Sequence, residues 1–240
     1  MTTLVYFLAM GDPKYVTQAQ EAIYTLRKFG CYRGEIALLT DQPITSQDFK
    51  VYDIRPFVEP RRPEVPANTY AFNCKSLISR VLHVEAYSFV LYLDSDLFVT
   101  SPRFLSLLQG MNLIGGMWVQ QNYWVPVDPT GPKKNMGGGR DPNLFKLCPN
   151  LSVCAGIIGF GGDAYQHLHR WNTLCMANHL GDDDQGSLHV VASQVNEGRI
   201  HYIPPADVWF PTNLVRNACI HHFTHQGQEA MATMRKTLFA

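Results

Sequence analysis

The first half of the chain alternates short apolar runs with longer amphipathic stretches. The apolar runs have the length and composition of strands, and they predict strands at residues 4–8, 35–39, 51–54 and 89–93. The stretches between them are long enough to cross back over a sheet. This alternation is typical of an α/β protein with a mostly parallel sheet.

The stretch after the first strand carries the signals of a helix. Asp12 suits the capping position and Pro13 the first turn, and Gly30 follows the last periodic residue. One helical face is apolar and consists of Val16, Ala19, Ile23 and Leu26. We therefore predict a helix that packs against the sheet along this face.

A second helix is predicted over residues 72–82, directly before the strand at 89–93. Its apolar positions Ile78, Val81 and Leu82 are expected to be buried, and Lys75 lies on another face. The chemistry of Lys75 is open at this point, because a lysine on a helix is often simply solvated.

The second half is less regular. We predict strands near 113–118, at 153–160 and at 200–203, with helices at 164–178 and from Gln185 onward. The segment 120–141 is rich in proline, glycine and aromatic residues and has little periodicity, so we interpret it as a lid, a binding loop or a disordered segment. The aromatic residues around it could stack on a ligand or pack in the core: Trp118, Tyr123 and Trp124.

Composition narrows the function classes. The 240 residues suit one α/β domain, and 46% of them are hydrophobic while only 17% are charged. The formal net charge is zero, which argues against a nucleic-acid-binding surface or a basic membrane patch. A neutral protein binds an anionic ligand through a few placed cations or a metal ion.

The cysteines and the N-terminal region predict a cytoplasmic protein. The six cysteines show no C-x-x-C spacing, and we expect them to be reduced. No stretch approaches transmembrane length. The apolar run at 4–10 has no basic region before it and is interrupted by Gly11, Asp12 and Pro13, so we predict a first strand rather than a signal peptide.

The strongest chemical signal is the sequence V-L-Y-L-D-S-D at 90–96. Asp94 and Asp96 follow a predicted buried strand, at the edge where α/β sheets bind ligands. Side chains alternate along an extended chain, so the two carboxylates can face the same way while Ser95 faces elsewhere. Hard oxygen donors suit Mg²⁺ or Mn²⁺. A solvated turn is the competing interpretation.

A third ligand could come from the histidines near the end of the chain. His221, His222 and His225 lie within five residues, and imidazole suits Mn²⁺ better than Mg²⁺. We favour His222. The alternative is a set of histidines hydrogen-bonded to the backbone.

With these residues the chain resembles the retaining glycosyltransferases of family eight, which include glycogenin and bacterial lipopolysaccharide galactosyltransferases. The resemblance rests on the 90–96 motif, Lys75, the V-C-A-G-I-I-G-F run at 153–160, Asp184-Gln185 and His222-Phe223, in that order. It implies a GT-A fold, with a Rossmann-like, mostly parallel central sheet flanked by helices. It also implies a UDP-sugar donor and Mn²⁺ or Mg²⁺ as cofactor.

The resemblance also implies roles for individual residues. The metal ligands would be Asp94, Asp96 and His222, and Asp184 and Gln185 would act in catalysis, facing the sugar and the acceptor. The donor would be bound by Phe7, Leu8, Ala9, Tyr15, Lys75, Asp94, Ser95 and Asp96. Residues 1–100 would form a nucleotide-binding half and 101–240 an acceptor-side half of a single domain. The acceptor, which could be a glycan, a lipid, a protein or a small molecule, and the oligomeric state stay open.

The chain departs from the family pattern at some positions, and other functions are also considered. No glycine and lysine follow His222 in the H-x-x-G-x-x-K spacing, and Cys154 stands where asparagine is common. Asp184 could instead cap a helix. A catalytically silent nucleotide-sugar binding protein is the main alternative function. A phosphatase of the haloacid dehalogenase class would carry its D-x-D on the first strand, and a structural role would leave the acid pair without a partner.

Overall fold

The structure of the protein is a computed structural model. It describes residues 2–61, 63, 67–121, 153–177, 184–195, 197–210, 217–224 and 227–239. The strands are β1 (Thr3–Ala9), β2 (Glu35–Thr40), β3 (Lys50–Asp53), β4 (Phe89–Leu93), β5 (Leu97–Val99), β6 (Gly116–Gln121), β7 (Val153–Gly161), β8 (Ile200–Tyr202), β9 (Val208–Trp209) and β10 (Ile220–His222). The α-helices are α1 (Pro13–Lys28), α2 (Ala67–Asn73), α3 (Ile78–Val81), α4 (Arg103–Ile114), α5 (Tyr165–Ala177), α6 (Asp184–Gln194) and α7 (Gln228–Leu238).

Seven strands form the central sheet in the order β3-β2-β1-β4-β7-β6-β8. All of them run in one direction except β7, which is antiparallel to β4 on one side and to β6 on the other. The predicted mostly parallel sheet is therefore confirmed. Because β1, β2 and β4 are parallel, their carboxyl ends meet at one edge, as α/β ligand sites require.

The core lies on both faces of this sheet, as the alternating pattern of β1 shows. Leu4, Tyr6 and Leu8 face the layer that contains α3, α5 and α6. The intervening residues of β1 face the layer that contains α1 and α4. The predicted apolar face of α1 is buried there, and Asp12 accepts a hydrogen bond from the Lys14 backbone N–H, which confirms the predicted cap.

A small second sheet follows directly from the acid pair. It has the order β5-β10-β9, with β10 antiparallel to β5. β5 begins at Leu97, one residue after Asp96, so the chain leaves the central sheet at the acid pair and enters the small sheet at once. Residues near the end of the chain are thereby brought beside the motif at 94–96.

The strand predicted near residues 113–118 begins later in the structure. Residues 113 and 114 end helix α4, where Leu113 is 78% exposed, and the strand predicted from 113 begins only at Gly116. Leu113 and Ile114 are apolar residues at the exposed end of α4, and their pattern resembles the start of a strand. The same shift extends β6 to Gln121, so the first two residues of the predicted irregular segment are in a strand, and the rest of that segment, with Tyr123 and Trp124, lies outside the described residues.

The helix predicted over 72–82 is interrupted. α2 passes into a 3₁₀ turn at Cys74–Leu77 before α3 begins. The tighter turn rotates the side chains relative to a continuous α-helix, so Lys75 is buried while Val81 and Leu82 are only half-buried. Only Ile78 of the three predicted core residues is fully buried.

None of the helices in the described part of the chain has the length and apolarity needed to cross a bilayer. The cysteines described there are all free thiols: Cys31, Cys74, Cys154, Cys175 and Cys219.

Candidate active site

The acid pair lies where the central sheet ends. The backbone N–H of Asp94 still donates to the Gly156 carbonyl on β7 (2.9 Å), so Asp94 continues the ladder of β4. The side chains of Asp94 and Asp96 are 21% and 25% exposed. Both carboxylates are therefore fixed by the sheet on one side and accessible on the other.

His222 is carried to the acid pair by the small sheet. It is opposite Leu97 in the β5–β10 ladder, and the next residue, Phe223, donates its backbone N–H to the Asp96 carbonyl (2.9 Å). The His222 Nε2 atom lies 3.5 Å from a carboxylate oxygen of Asp94 and 3.5 Å from one of Asp96. The preference for His222 among the three histidines is consistent with this placement.

The alternation of β10 explains why His222 rather than His221 reaches the carboxylates. His221 faces the other side of the strand, where its ring stacks on Trp209 with 5.8 Å between centroids. His225 lies outside the described residues.

The three side chains fit a divalent cation. One ligand atom from each of Asp94, Asp96 and His222 lies within 4.8 Å of the others, and the set is two carboxylates and an imidazole. Gln120 Oε1 lies 2.8 Å from His222 Nδ1. An amide oxygen can only accept a hydrogen bond, so this contact pairs it with an Nδ1–H and directs Nε2 toward the two carboxylates.

Two neighbours fix the plane of the His222 ring. A Cβ at Gly156 would lie 2.1 Å from the His222 Cε1 atom, so the ring occupies space that only glycine leaves open. The ring of Phe210 meets the imidazole edge to face at 5.4 Å. His222 is 2% exposed and has no room to turn away.

Lys75 is a buried ion-pair partner and not a solvated helix residue. Its Nζ atom lies 2.9 Å from Asp94 Oδ1 and 3.1 Å from Asp184 Oδ2, and it donates to the Ala155 carbonyl at 3.2 Å. The side chain is 8% exposed. The interpretation of Lys75 as solvated is therefore wrong, because the 3₁₀ turn points it into the sheet edge.

The charges of these groups support one another. Burial by itself would raise the pKa of Asp94, but Lys75, His222 and the Tyr92 hydroxyl offset it and lower that pKa to about 2. Burial would lower the pKa of His222, and hydrogen bonds and charges from Asp94 and Asp96 raise it to about 9. The Lys75 pKa is raised in the same way, since Asp184 and Asp94 outweigh its desolvation.

Asp184 begins helix α6 and its carboxylate is bound to Lys75. Its backbone carbonyl also accepts a hydrogen bond from the Trp171 indole (3.0 Å). The residue is 3% exposed, which a purely solvated capping acid would not be. Gln185, the next residue, is half-buried, and Asp182 and Asp183 lie outside the described residues.

The remaining predicted donor contacts lie at the carboxyl end of β1. Phe7 and Ala9 are fully buried and Leu8 is 8% exposed, so their side chains belong to the core. Tyr15, in the first turn of α1, is 38% exposed with the Lys14 ammonium over its ring. Ser95 is half-buried between the two aspartates. The roles of these residues in donor binding stay predictions.

Residues that sequence analysis missed surround the predicted ligands. Tyr92 donates its hydroxyl to Asp94 Oδ1 (2.5 Å), Gln120 binds His222, and Gly156 makes room for it. A tyrosine two residues before Asp94 on the same strand face is a recognisable signal. The signal for Gln120 is weaker, because it is only a polar residue near the end of an apolar strand.

Comparison with known proteins identifies the fold. No protein-family model matches the chain, and no curated protein matches it in sequence. In structure it is similar to the galactosyltransferase LgtC in complex with donor and acceptor sugar analogues, with a TM-score of 0.60, 12% identity, and coverage of 99% of this chain and 96% of that one. An LgtC variant in which an active-site glutamine is replaced by glutamate gives a TM-score of 0.63 at the same identity and coverage.

The chain has the GT-A fold. A further match is a glycosyltransferase that takes part in glycosylating the major capsid of the virus PBCV-1, with a TM-score of 0.59, 11% identity, and coverage of 99% of this chain and 100% of that one. The predicted GT-A fold is confirmed by these similarities. A phosphatase fold is not supported, because the acid pair follows the fourth strand of a GT-A sheet.

Proposed function

We propose that this protein is a metal-dependent glycosyltransferase that moves a sugar from a UDP-sugar to a hydroxyl acceptor. The observation that carries the proposal is the cluster of Asp94, Asp96 and His222 at the carboxyl edge of a GT-A sheet, with its ligand atoms within 4.8 Å. Neighbouring folds that are glycosyltransferases support sugar transfer as the reaction class.

The cluster would hold Mn²⁺ or Mg²⁺ through the two carboxylates and His222 Nε2. A bound divalent cation would neutralise the charge that develops on the diphosphate as the sugar leaves. Asp94 and Asp96 face outward with about a fifth to a quarter of their surface exposed, so two oxygen ligands are accessible to a metal–nucleotide complex. His222 is buried behind them and fixes the third ligand position.

Lys75 would connect the metal site with the sugar site. It bridges Asp94, a proposed ligand, and Asp184, the proposed sugar-facing acid. Its charge prevents the two carboxylates from repelling each other and adds positive potential beside the diphosphate. Lys75 would therefore hold Asp184 in position.

Asp184 and Gln185 would face the reacting sugar and the acceptor. The placement of Asp184 next to Lys75, at the first turn of α6, supports this role. An active-site glutamine is also recorded for LgtC. Retention of the anomeric configuration is part of the proposal and rests on the family resemblance. Positioning of the acceptor hydroxyl against the anomeric carbon would supply the remaining catalysis.

The halves of the chain would divide the substrates. Residues 1–100 would bind the nucleotide, with Phe7, Leu8, Ala9 and Tyr15 beside the uracil and ribose, and 101–240 would bind the acceptor. A cytoplasmic location is also proposed, supported by free thiols at all the described cysteine positions.

A screen of UDP-sugars with and without Mn²⁺ tests the proposal. A bound donor at 100 times its dissociation constant stabilises the folded protein by about 2.7 kcal/mol. For a chain of this size that is a rise in Tm of roughly 5–10 °C. We expect such a rise only when Mn²⁺ and one of the UDP-sugars are present together.

Release of UDP then separates an enzyme from a binding protein. The stabilising UDP-sugar should release UDP slowly in the presence of Mn²⁺ even without an acceptor. Stabilisation without any release, across a panel of glycan, lipid and peptide acceptors, would indicate the catalytically silent alternative. No Mn²⁺-dependent stabilisation by any UDP-sugar would refute the proposal as a whole.

A further inference from the structure

Gln120 lies at an irregularity between two strands of the central sheet. In the β6–β7 ladder Val119 pairs with Ile158, but the next residue, Gln120, pairs with Cys154. Residues 155–157 of β7 therefore have no partner on β6, although they stay beside β4, where Leu93 pairs with Ile157. Such irregularities re-aim side chains and are frequent next to active sites.

The irregularity creates the space in which His222 lies. Gly156, at its centre, contacts the His222 ring, and the Ala155 carbonyl accepts the hydrogen bond from Lys75. Gln120 ends β6 at the same point and reaches His222 Nδ1 through its side-chain oxygen at 2.8 Å. One distortion of the sheet thus positions the proposed ligand His222 together with Gly156 and Gln120, which contact its ring.

A glutamine at position 120 lowers the stability of the fold relative to an apolar residue. It is 1% exposed, and its neighbours along β6 are the buried residues Met117, Trp118 and Val119. Its Nε2 group is buried without a hydrogen-bond partner among the described residues. A buried donor left unsatisfied destabilises a protein by about 1–3 kcal/mol, so an apolar side chain would stabilise the fold better unless the oxygen of Gln120 is needed.

We propose that Gln120 is a positioning residue that fixes His222 in the Nδ1–H form, so that Nε2 is always the atom presented to the metal. An amide oxygen can only accept a hydrogen bond, so it selects the imidazole whose Nδ1 carries the proton. The inference rests on the proposed function, because it assigns a role toward the same metal site. Replacement of a residue that hydrogen-bonds to a metal ligand typically lowers metal affinity about 10- to 100-fold.

The experiment measures Mn²⁺ binding to the full chain by the electron paramagnetic resonance signal of free Mn²⁺. Gln120→Met keeps the length of the side chain and removes the acceptor, so we expect affinity to fall about 10- to 100-fold. Gln120→Glu keeps an acceptor at the same distance and should bind Mn²⁺ at least as well as the unsubstituted protein. Gln121→Met, at the next position of the strand, is the matched control and should leave affinity unchanged.

A double-mutant cycle with His222→Ala tests whether Gln120 affects Mn²⁺ affinity through His222. If Gln120 acts only through His222, Gln120→Met should cause no further loss of Mn²⁺ affinity in the His222→Ala background. An equal loss in both backgrounds would overturn the inference. Equal losses in Gln120→Met and Gln120→Glu would also overturn it, because they would indicate a packing role.

The tautomer can be observed directly. In the Mg²⁺-loaded protein, the ¹⁵N spectrum of His222, assigned by its disappearance in His222→Ala, should show a protonated Nδ1 and an unprotonated Nε2. A proton on Nε2 would overturn the inference together with the assignment of His222 as a ligand. If Gln120→Met does not fold, as judged by thermal melting, Gln120→Ala removes the same acceptor without a bulky replacement and is measured instead.

Failure of the inference and failure of the proposed function are distinguishable. An unsubstituted protein that binds no Mn²⁺ overturns the metal-dependent function and this inference with it. An unsubstituted protein that binds Mn²⁺, together with a folded Gln120→Met that binds it equally well, overturns only the role of Gln120.

Discussion

The candidate site has an open side and a buried side, and the two differ in what they hold. On the open side, Asp94 and Asp96 expose about a fifth to a quarter of their surface at the edge of the sheet. On the buried side, Lys75, Asp184 and His222 are each less than a tenth exposed. The open side offers oxygen ligands that can exchange water for a substrate. The buried side holds charged groups that are enclosed by protein and pair with one another.

The difference indicates how the two sides should respond to substitution. Removal of the Asp96 carboxylate deletes a ligand and takes one of two negative charges away from His222. Removal of a buried charge leaves its partners uncompensated in a low-dielectric environment, which destabilises the fold. Binding should therefore be most sensitive to substitution at Asp96, and stability to substitution at Lys75.

The largest expected effect is on the open side. Asp96→Ala should reduce Mn²⁺-dependent UDP binding more than about 100-fold, because it removes a ligand itself rather than a supporting residue. Isothermal titration calorimetry measures the loss. Asp163→Ala is the control, since Asp163 forms an exposed pair with Arg199 and should bind UDP normally. Unchanged UDP affinity in Asp96→Ala would remove the proposed metal site.

The next effect is on stability from the buried side. Lys75→Met should lower the free energy of unfolding by about 3–5 kcal/mol, because Asp94 and Asp184 lose their shared cation. Urea unfolding without metal measures the change. Lys50→Met removes a lysine from an exposed pair with Glu35 and should change the same free energy by less than about 1 kcal/mol. Equal changes in the two variants would mean that the buried ion pairs of Lys75 stabilise the fold no more than an exposed ion pair does.

His222 should affect binding more than it affects the fold. His222→Ala should weaken Mn²⁺ binding at least about 10-fold while the protein stays folded. His221→Ala is the matched control, because His221 lies on the other face of the same strand against Trp209. If both variants bind Mn²⁺ like the unsubstituted protein, His222 is not a ligand.

Two glycines test how tightly the buried side is packed. Gly156→Ala places a Cβ 2.1 Å from His222, and we expect a loss of about 1–3 kcal/mol in stability together with weaker Mn²⁺ binding. Gly110→Ala, in helix α4 with nothing within 4 Å of the new Cβ, should stabilise the protein by about 0.4–1 kcal/mol. Thermal melts of the two variants should shift in opposite directions.

The smallest effect concerns a single hydroxyl. Tyr92→Phe removes a hydrogen bond to the Asp94 carboxylate and should lower the free energy of unfolding by about 1.5 kcal/mol. Tyr6→Phe removes a hydrogen bond to the Lys75 backbone carbonyl, an uncharged acceptor, and should have a smaller effect of about 1 kcal/mol. A larger loss in Tyr6→Phe would contradict the charge-assisted role of Tyr92.

The sheet strands could be predicted because each is an apolar run with its own boundaries. The apolar run at 89–93 predicts a strand, and β4 has the same bounds, while the run at 153–160 forms most of β7. Local patterns failed where helices end in apolar residues. Leu113 and Ile114 look like the start of a strand, yet they are exposed at the end of α4.

The burial of Lys75 could not be predicted, because it depends on how a helix is broken. A regular helix over 72–82 places Lys75 away from its apolar face, whereas the 3₁₀ turn at Cys74–Leu77 points it toward Asp94 and Asp184. The turn is bound to α5 by contacts such as the hydrogen bond from Asn172 to the Ser76 hydroxyl. Those partners are 96 residues apart in sequence.

The sequence by itself determined most strands of the central sheet, the first helix and the acids at the end of β4, because periodicity and end signals are local properties of the chain. It also singled out His222, as one of three histidines close together near the chain's end. Only the tertiary structure decided which atoms meet. Lys75, Gln120 and Gly156 acquire their contacts from pairings between distant strands and from the irregularity in β7, and no local pattern encodes a contact across a folded sheet.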